Sequence, residues 1–185
     1  MSWCATGAQA YLIDAARALV VRSGARPGAR TLVVVPDRTR PLSLQWLLGA
    51  VGDALAERGV AAADVAIAIA SGSHAASSED ASPDRLGTWA RGARLVAHRP
   101  EDATAFAGTT PAGTAIRVHP ELLAADVVLA VGATAFHYFA GFGGGPKLLF
   151  PGLGARDSIA ANHRRALGAW PPGGLAPGVA PGRLA

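Results

Sequence analysis

Two apolar periods alternate along the chain. Residues 8–22 and 43–58 repeat apolar side chains at three- and four-residue intervals, the spacing of one buried helix face. Ser43 is placed to cap the second of these helices and Gly59 to stop it. Between them TLVVVP (31–36) is a short run that is apolar after its first residue, and DVAIAIA (64–70) is another. Runs of that length predict strands covered on both sides. The pattern continues with a polar loop at 71–82, a short helix at 83–91 and a strand at 94–97. A hairpin or extended pair follows over 105–118 around Pro111-Ala112-Gly113, then a short helix at 119–124 and a strand at 126–131. A long glycine-rich loop, 132–154, leads to a last helix at 157–168. Strands alternating with helices predict an α/β domain: an open, mostly parallel Rossmann-like sheet with helices on both faces. Residues 169–185 (AWPPGGLAPGVAPGRLA) carry no core-forming pattern and read as a Pro/Gly-rich linker or the start of a further domain.

Composition narrows the picture. The chain has 185 residues, half of them hydrophobic and 16% charged, which excludes a disordered tail and suits one domain of α/β size. No apolar run is long enough to span a bilayer. With aromatics at only 6%, the core is expected to be built from Ala, Val, Leu and Ile. The net charge of +4 comes from arginines scattered singly among acids, with Arg164-Arg165 the one adjacent pair. Tracking phosphates needs clustered cations, so no nucleic-acid partner is expected. The single cysteine, Cys4, offers neither a disulfide nor a metal cluster, and the N-terminal stretch lacks a secretory pattern, so a cytoplasmic location is expected. Of the 17 cationic side chains, only Lys147 is a lysine. An amine can lose its proton and attack carbon, whereas a guanidinium practically cannot, so the exception invites a chemical reading beside that of a chance surface lysine.

The chemistry-bearing residues follow the strands. Asp37, Thr39 and Arg40 come after the first, Ser71-Gly72-Ser73-His74 after the second, His98 after the third and His137 shortly after the fourth. In an open parallel sheet these are carboxyl ends, where loops converge on a ligand crevice. Singly, each histidine is more often structural; jointly they point to a site. In AGFGGGPK (140–147), Gly143, Gly144 and Gly145 let the backbone approach a ligand and cradle an anion. Pro146 before Lys147 and Leu148 after it exclude a Walker-type phosphate loop. Phe139, Phe142, Leu148 and Phe150 argue against a floppy, fully solvated loop. In DSIAANHRRALG, Asp157 reads as the cap, and Ile159, His163 and Leu167 share an inward stripe. His163 has no second ligand at metal-binding spacing.

Taken in order, Asp-x-Thr-Arg-Pro (37–41), Ser-Gly-Ser-His (71–74), His-Tyr-Phe-Ala-Gly-Phe-Gly-Gly-Gly-Pro-Lys (137–147), Pro-Gly (151–152) and Asn-His (162–163) resemble the N-terminal domain of the nickel-dependent lactate racemase family. The resemblance spans roughly residues 8–185. It implies racemisation or epimerisation of a small 2-hydroxy acid, with a nickel-pincer nucleotide (nickel pyridinium-3,5-bisthiocarboxylate mononucleotide) tethered to Lys147. It further implies that His163 ligates nickel, that His74 and His137 are alternating acid and base, and that Arg40 pairs with the substrate carboxylate. Asp37, Thr39 and the glycines would contact the nucleotide. The implied partners are cofactor-maturation proteins and a C-terminal domain that closes over the site.

Residue chemistry agrees with this implication. The C2 hydrogen of a 2-hydroxy acid is too feebly acidic for easy removal as a proton. Leaving as hydride to an electron-poor pyridinium, while a histidine takes the hydroxyl proton, it gives a planar 2-keto acid that can be reduced from either face. An imidazole, with a pKa of roughly 6.5, suits both directions of proton transfer. Two departures stand out: Ala75-Ala76 follow His74 where the family has Arg-Pro, and Arg99 follows His98 where relatives carry an acid. The alternatives are a non-catalytic nucleotide-binding module of the same fold and an ordinary phosphate-binding α/β protein.

Overall fold

The computed structural model describes residues 3–40, 42–75, 77–137 and 141–168. Helix α1 (Trp3–Ser23) leads into strand β1 (Thr31–Pro36), helix α2 (Leu44–Glu57) and strand β2 (Val65–Ala70). Then come a short helix α3 (Pro83–Leu86), strand β3 (Arg94–Ala97), the hairpin β4 (Ala105–Thr109) and β5 (Ala115–Val118), helix α4 (Pro120–Ala124) and strand β6 (Val127–Ala130). Strands β7 (Ala135–His137) and β8 (Gly141–Gly143) and helix α5 (Arg156–Gly168) complete the order. The predicted linker at 169–185, Pro41, Ala76 and Phe139 lie outside the described residues.

The expected parallel sheet is present, in the order β3-β2-β1-β6. All six residues of β1 are buried, so both faces must be apolar, and they divide by alternation. Val33 and Val35 face one core with Ile67 and Ile69, while Leu32 and Val34 face the other with Ala66, Ala68 and Ala70. The first core is closed by α1 and α2. Helix α2 buries Leu44, Leu48, Val51 and Leu55 at intervals of four, three and four, the stripe of an amphipathic helix. Each such side chain contributes about 1.5–3 kcal/mol of burial. Gly52 lies on the same helix because Trp89 packs against it: a Cβ there would run into the indole.

The second face is covered differently. Leu148 and Leu153, from the glycine-rich segment, fill it together with the half-buried Leu122 and Leu149. The stretch predicted as a loop at 132–154 therefore holds structure of its own: the β7–β8 hairpin, then a 3₁₀ turn over Gly145–Leu148. Leu148 and the half-buried Phe150, which packs against Gly154, anchor it, whereas Phe142 is 67% exposed and faces Phe136, 73% exposed, across the hairpin. The helix predicted at 83–91 is split into α3 and a 3₁₀ turn at Trp89–Gly92 by Gly87, whose φ of +82° ends the helical run. Helix α5 begins one residue before Asp157. That carboxylate therefore accepts the Ser158 N–H from within the first turn instead of capping the helix.

After β3 the chain crosses over β2 and β1 to place β6 on the far side of β1. The reversal opens a crevice at the carboxyl end of β1, where open α/β sheets bind ligands.

Candidate functional site

The first wall is the turn after β1. Asp37 is 4% exposed, directly beyond the last strand residue. Its backbone carbonyl accepts the Arg40 N–H at 3.2 Å, closing a turn, and its Oδ1 accepts the Thr39 N–H at 3.2 Å and hydroxyl at 2.5 Å. The turn is braced from outside. Buried Asp80 accepts the Arg38 N–H at 2.6 Å, and Arg85 donates to the carbonyls of Pro36 at 2.7 Å and Asp80 at 3.2 Å. Asp80 is in turn held by a capping box with Ser77.

The second wall is the end of β2. Ser71 is buried and donates its hydroxyl to the His98 carbonyl at 3.2 Å. Gly72, at φ +57°, turns the chain and donates to the Gly152 carbonyl at 2.8 Å. The His74 N–H then closes onto the Ser71 carbonyl at 2.9 Å. This path brings the His74 ring to Asp37, with Nδ1 2.6 Å from Oδ2.

The third wall comes from the glycine-rich segment and α5. His137 ends β7. Gly144, at φ +87°, lies so close to the Ala133 carbonyl that any Cβ would collide with it. The 3₁₀ turn carries Lys147, whose amine is buried. Ile159 anchors α5 in the interior, and His163, one turn later and half-buried, reaches the same space, as its spacing predicts. The Leu167 side chain lies outside the described ones.

These walls enclose a cleft of about 190 Å³. Asp37, Arg40, His74, His137, Gly143, Gly144, Lys147 and His163 all line it, brought together from four separate parts of the sequence. Thr39 and Gly145 flank it: the Thr39 hydroxyl is turned onto Asp37, and Gly145 is exposed where the 3₁₀ turn starts. Among the described residues Asp37 is the one carboxylate in the lining. Burial lowers the pKa of Lys147, and the Arg40 guanidinium lowers it further. Burial likewise lowers that of His137, with Lys147, Arg40 and His163 adding to the effect. Burial and the Arg40 charge together raise the share of uncharged, nucleophilic amine at Lys147.

His98 does not join the others. It is 1% exposed, lies behind Ser71 and packs edge-on against His119, with centroids 5.9 Å apart. Its pKa is lowered to about 4, by burial first and by His119 second. Among the described residues, no group of three or more His, Cys, Asp or Glu is gathered to hold a metal ion. A metal held by His163 would need donors from a bound organic group. The supporting residues that sequence reasoning missed are Asp80 and Arg85. Their signal was the Ser-x-x-Asp spacing of Ser77 to Asp80, a capping-box pattern, although its link to the Asp37 turn is purely tertiary.

Comparison with known proteins gives a consistent outcome. Residues 11–171 match the family model described as the lactate racemase N-terminal domain. The chain is 29% identical over 140 residues to a lactate racemase of Thermoanaerobacterium thermosaccharolyticum, covering 74% of this chain and 33% of that one. A lactate racemase of Lactiplantibacillus plantarum is 28% identical over 143 residues, at 75% and 33% coverage. The solved lactate racemase apoprotein of T. thermosaccharolyticum superposes with a TM-score of 0.61 at 25% identity, over 80% of this chain and 39% of that one. A crystal structure of a Thermotoga maritima protein shares the fold, with a TM-score of 0.72 at 24% identity over 95% and 46%. The chain thus spans about a third of the length of the curated relatives it matches. No described helix is long and apolar enough to cross a membrane.

Proposed function

The chain belongs to the lactate racemase N-terminal domain family, and from that premise we propose that it is the cofactor-bearing part of an enzyme that racemises or epimerises a lactate-like 2-hydroxy acid. The observation that carries this reading is the convergence of His74, His137, Arg40, Lys147 and His163 on one cleft.

The residues present fit a nickel-pincer nucleotide. The Lys147 amine is buried in the cleft with a lowered pKa, so more of it is uncharged and it would serve as the point of covalent attachment for the group's thiocarboxyl arm. Gly143 and Gly144 line the same space, Gly144 packing against the Ala133 carbonyl where a Cβ would collide, and the half-buried His163 would supply one imidazole to nickel. When bound, the group supplies an electron-poor pyridinium able to accept hydride from C2 of the substrate. The protein's own residues do the rest. Arg40 binds the carboxylate through two parallel N–H donors and so fixes which bonds of C2 are presented. His74 takes the hydroxyl proton from one enantiomer and returns it on the reverse path, and His137 does the same for the other. The lowered pKa of His137 keeps it neutral, and thus able to accept a proton, near neutral pH.

The test is loading followed by turnover, with the polypeptide made as the cell makes it, together with nickel and the cofactor-maturation proteins. Intact mass is expected to show a covalent increment that maps to Lys147 and is absent from Lys147→Arg. His74→Ala and His137→Ala keep the increment while racemisation falls roughly 10²–10⁴-fold. A wild-type chain without the increment, or Lys147→Arg still carrying it, overturns the proposal.

A further inference from the structure

We infer that Asp37 is the positioning residue for His74, setting the tautomer and orientation of its ring, and that Thr39 sets the orientation of Asp37. This rests on the reading that His74 moves the hydroxyl proton. The contact differs from an ordinary ion pair at a surface. The Asp37 side chain is 6% exposed and that of His74 54%, so a buried carboxylate holds the back of a ring whose remainder stands in the cleft. Both carboxylate oxygens are used: Oδ2 by Nδ1 of His74 at 2.6 Å, and Oδ1 by the N–H and hydroxyl of Thr39. The turn that carries them is fastened to Asp80 and Arg85. Asp37 is thus a rigid acceptor already satisfied by protein donors.

A carboxylate can only accept. A neutral His74 facing it must carry its proton on Nδ1, which leaves Nε2 bare as the nitrogen that takes the substrate proton. Once Nε2 is protonated, the same carboxylate stabilises the imidazolium and keeps the ring from turning away.

Asp37→Asn tests this sharply because Thr39 dictates which way the amide points. Two Thr39 donors require the amide oxygen at the Oδ1 position. The NH₂ group then occupies the Oδ2 position and donates to Nδ1, so the neutral ring must carry its proton on Nε2 instead. Long-range ¹H–¹⁵N NMR of the full chain, recorded at a pH where the ring is neutral, reads the tautomer directly without cofactor. The native chain is expected to show Nδ1–H at His74, and Asp37→Asn to show Nε2–H with little change in thermal midpoint. In the loaded enzyme kcat for the 2-hydroxy acid falls on the order of 10³–10⁴-fold while KM changes little. A native His74 protonated on Nε2 overturns the inference even if the variant fails to fold. So does an unchanged tautomer in Asp37→Asn, or a switched tautomer with undiminished kcat. If the tautomer switches as described but the loaded native enzyme turns over no 2-hydroxy acid, the functional reading fails while Asp37's control of the ring stands.

Discussion

The buried His98 makes a quantitative prediction about acid stability. Its ring sits 1% exposed beside His119, neither ring nitrogen is held by a well-directed hydrogen bond, and the Gly154 backbone opposes the shift only in part. The folded chain therefore keeps the ring neutral down to about 4, against the 6.5 of a free imidazole. Above pH 6.5 the ring is neutral in both states and its contribution to stability is fully present. Below 6.5 the unfolded chain takes up a proton that the folded chain refuses, and stability drains away as pH falls towards 4. Linkage between those two values gives a loss of about 2 kcal/mol from pH 7 to pH 5. That is a substantial share of the roughly 5–15 kcal/mol that holds a domain together. In urea denaturation followed by circular dichroism, the native midpoint is expected to fall by about 1 M between those pH values. His98→Leu, which fills a similar volume with nothing to titrate, should lose most of that fall. A smaller slope remains from His119, whose pKa burial also lowers. A native midpoint that stays level from pH 7 to pH 5, or an equal fall in His98→Leu, refutes the reasoning. NMR titration of the His98 ring in the native chain checks the same pKa without any substitution.

Two further outcomes follow from the glycine-rich wall and α5. Gly144→Ala puts a Cβ onto the Ala133 carbonyl at a φ of +87°, where strain costs about 1–3 kcal/mol, so the thermal midpoint should drop by roughly 2–12 °C; a change within 2 °C would show that the loop is not held as described. His163→Ala should leave the fold and the Lys147 mass increment in place while nickel per chain, measured by elemental analysis after dialysis, falls well below the native ratio. Unchanged nickel removes His163 as the ligand.

The sheet was legible from the chain itself because short apolar runs such as 31–36 and 65–70 can be satisfied only by covering both faces of a strand, whatever lies around them. Helix α2 was legible for the same local reason: its apolar stripe repeats with the helical period. Asp37, Arg40 and His74 were legible as cleft residues because they follow β1 and β2, and parallel strands put their carboxyl ends on one edge. The conspicuous lysine was visible as a count. Distant contacts were not. The burial of His98 depends on Ser71 and His119, which lie far from it in sequence, and its position after a strand gave the same signal as that of His74. The β7–β8 hairpin was hidden because strands of three residues are too short to carry a hydrophobic period, and their register is set by neighbours. Asp37 and His74 lie on loops after two different strands. Their 2.6 Å contact exists because β1 and β2 pair in register and the Asp80–Arg85 brace fixes the turn between sheet and cleft. Local sequence thus determined the elements and which side chains could meet at one edge. Tertiary packing alone decided which of those histidines lines the cleft, which is buried in the interior, and which stands against a carboxylate, because those outcomes depend on distances of a few ångströms between segments that no local pattern relates.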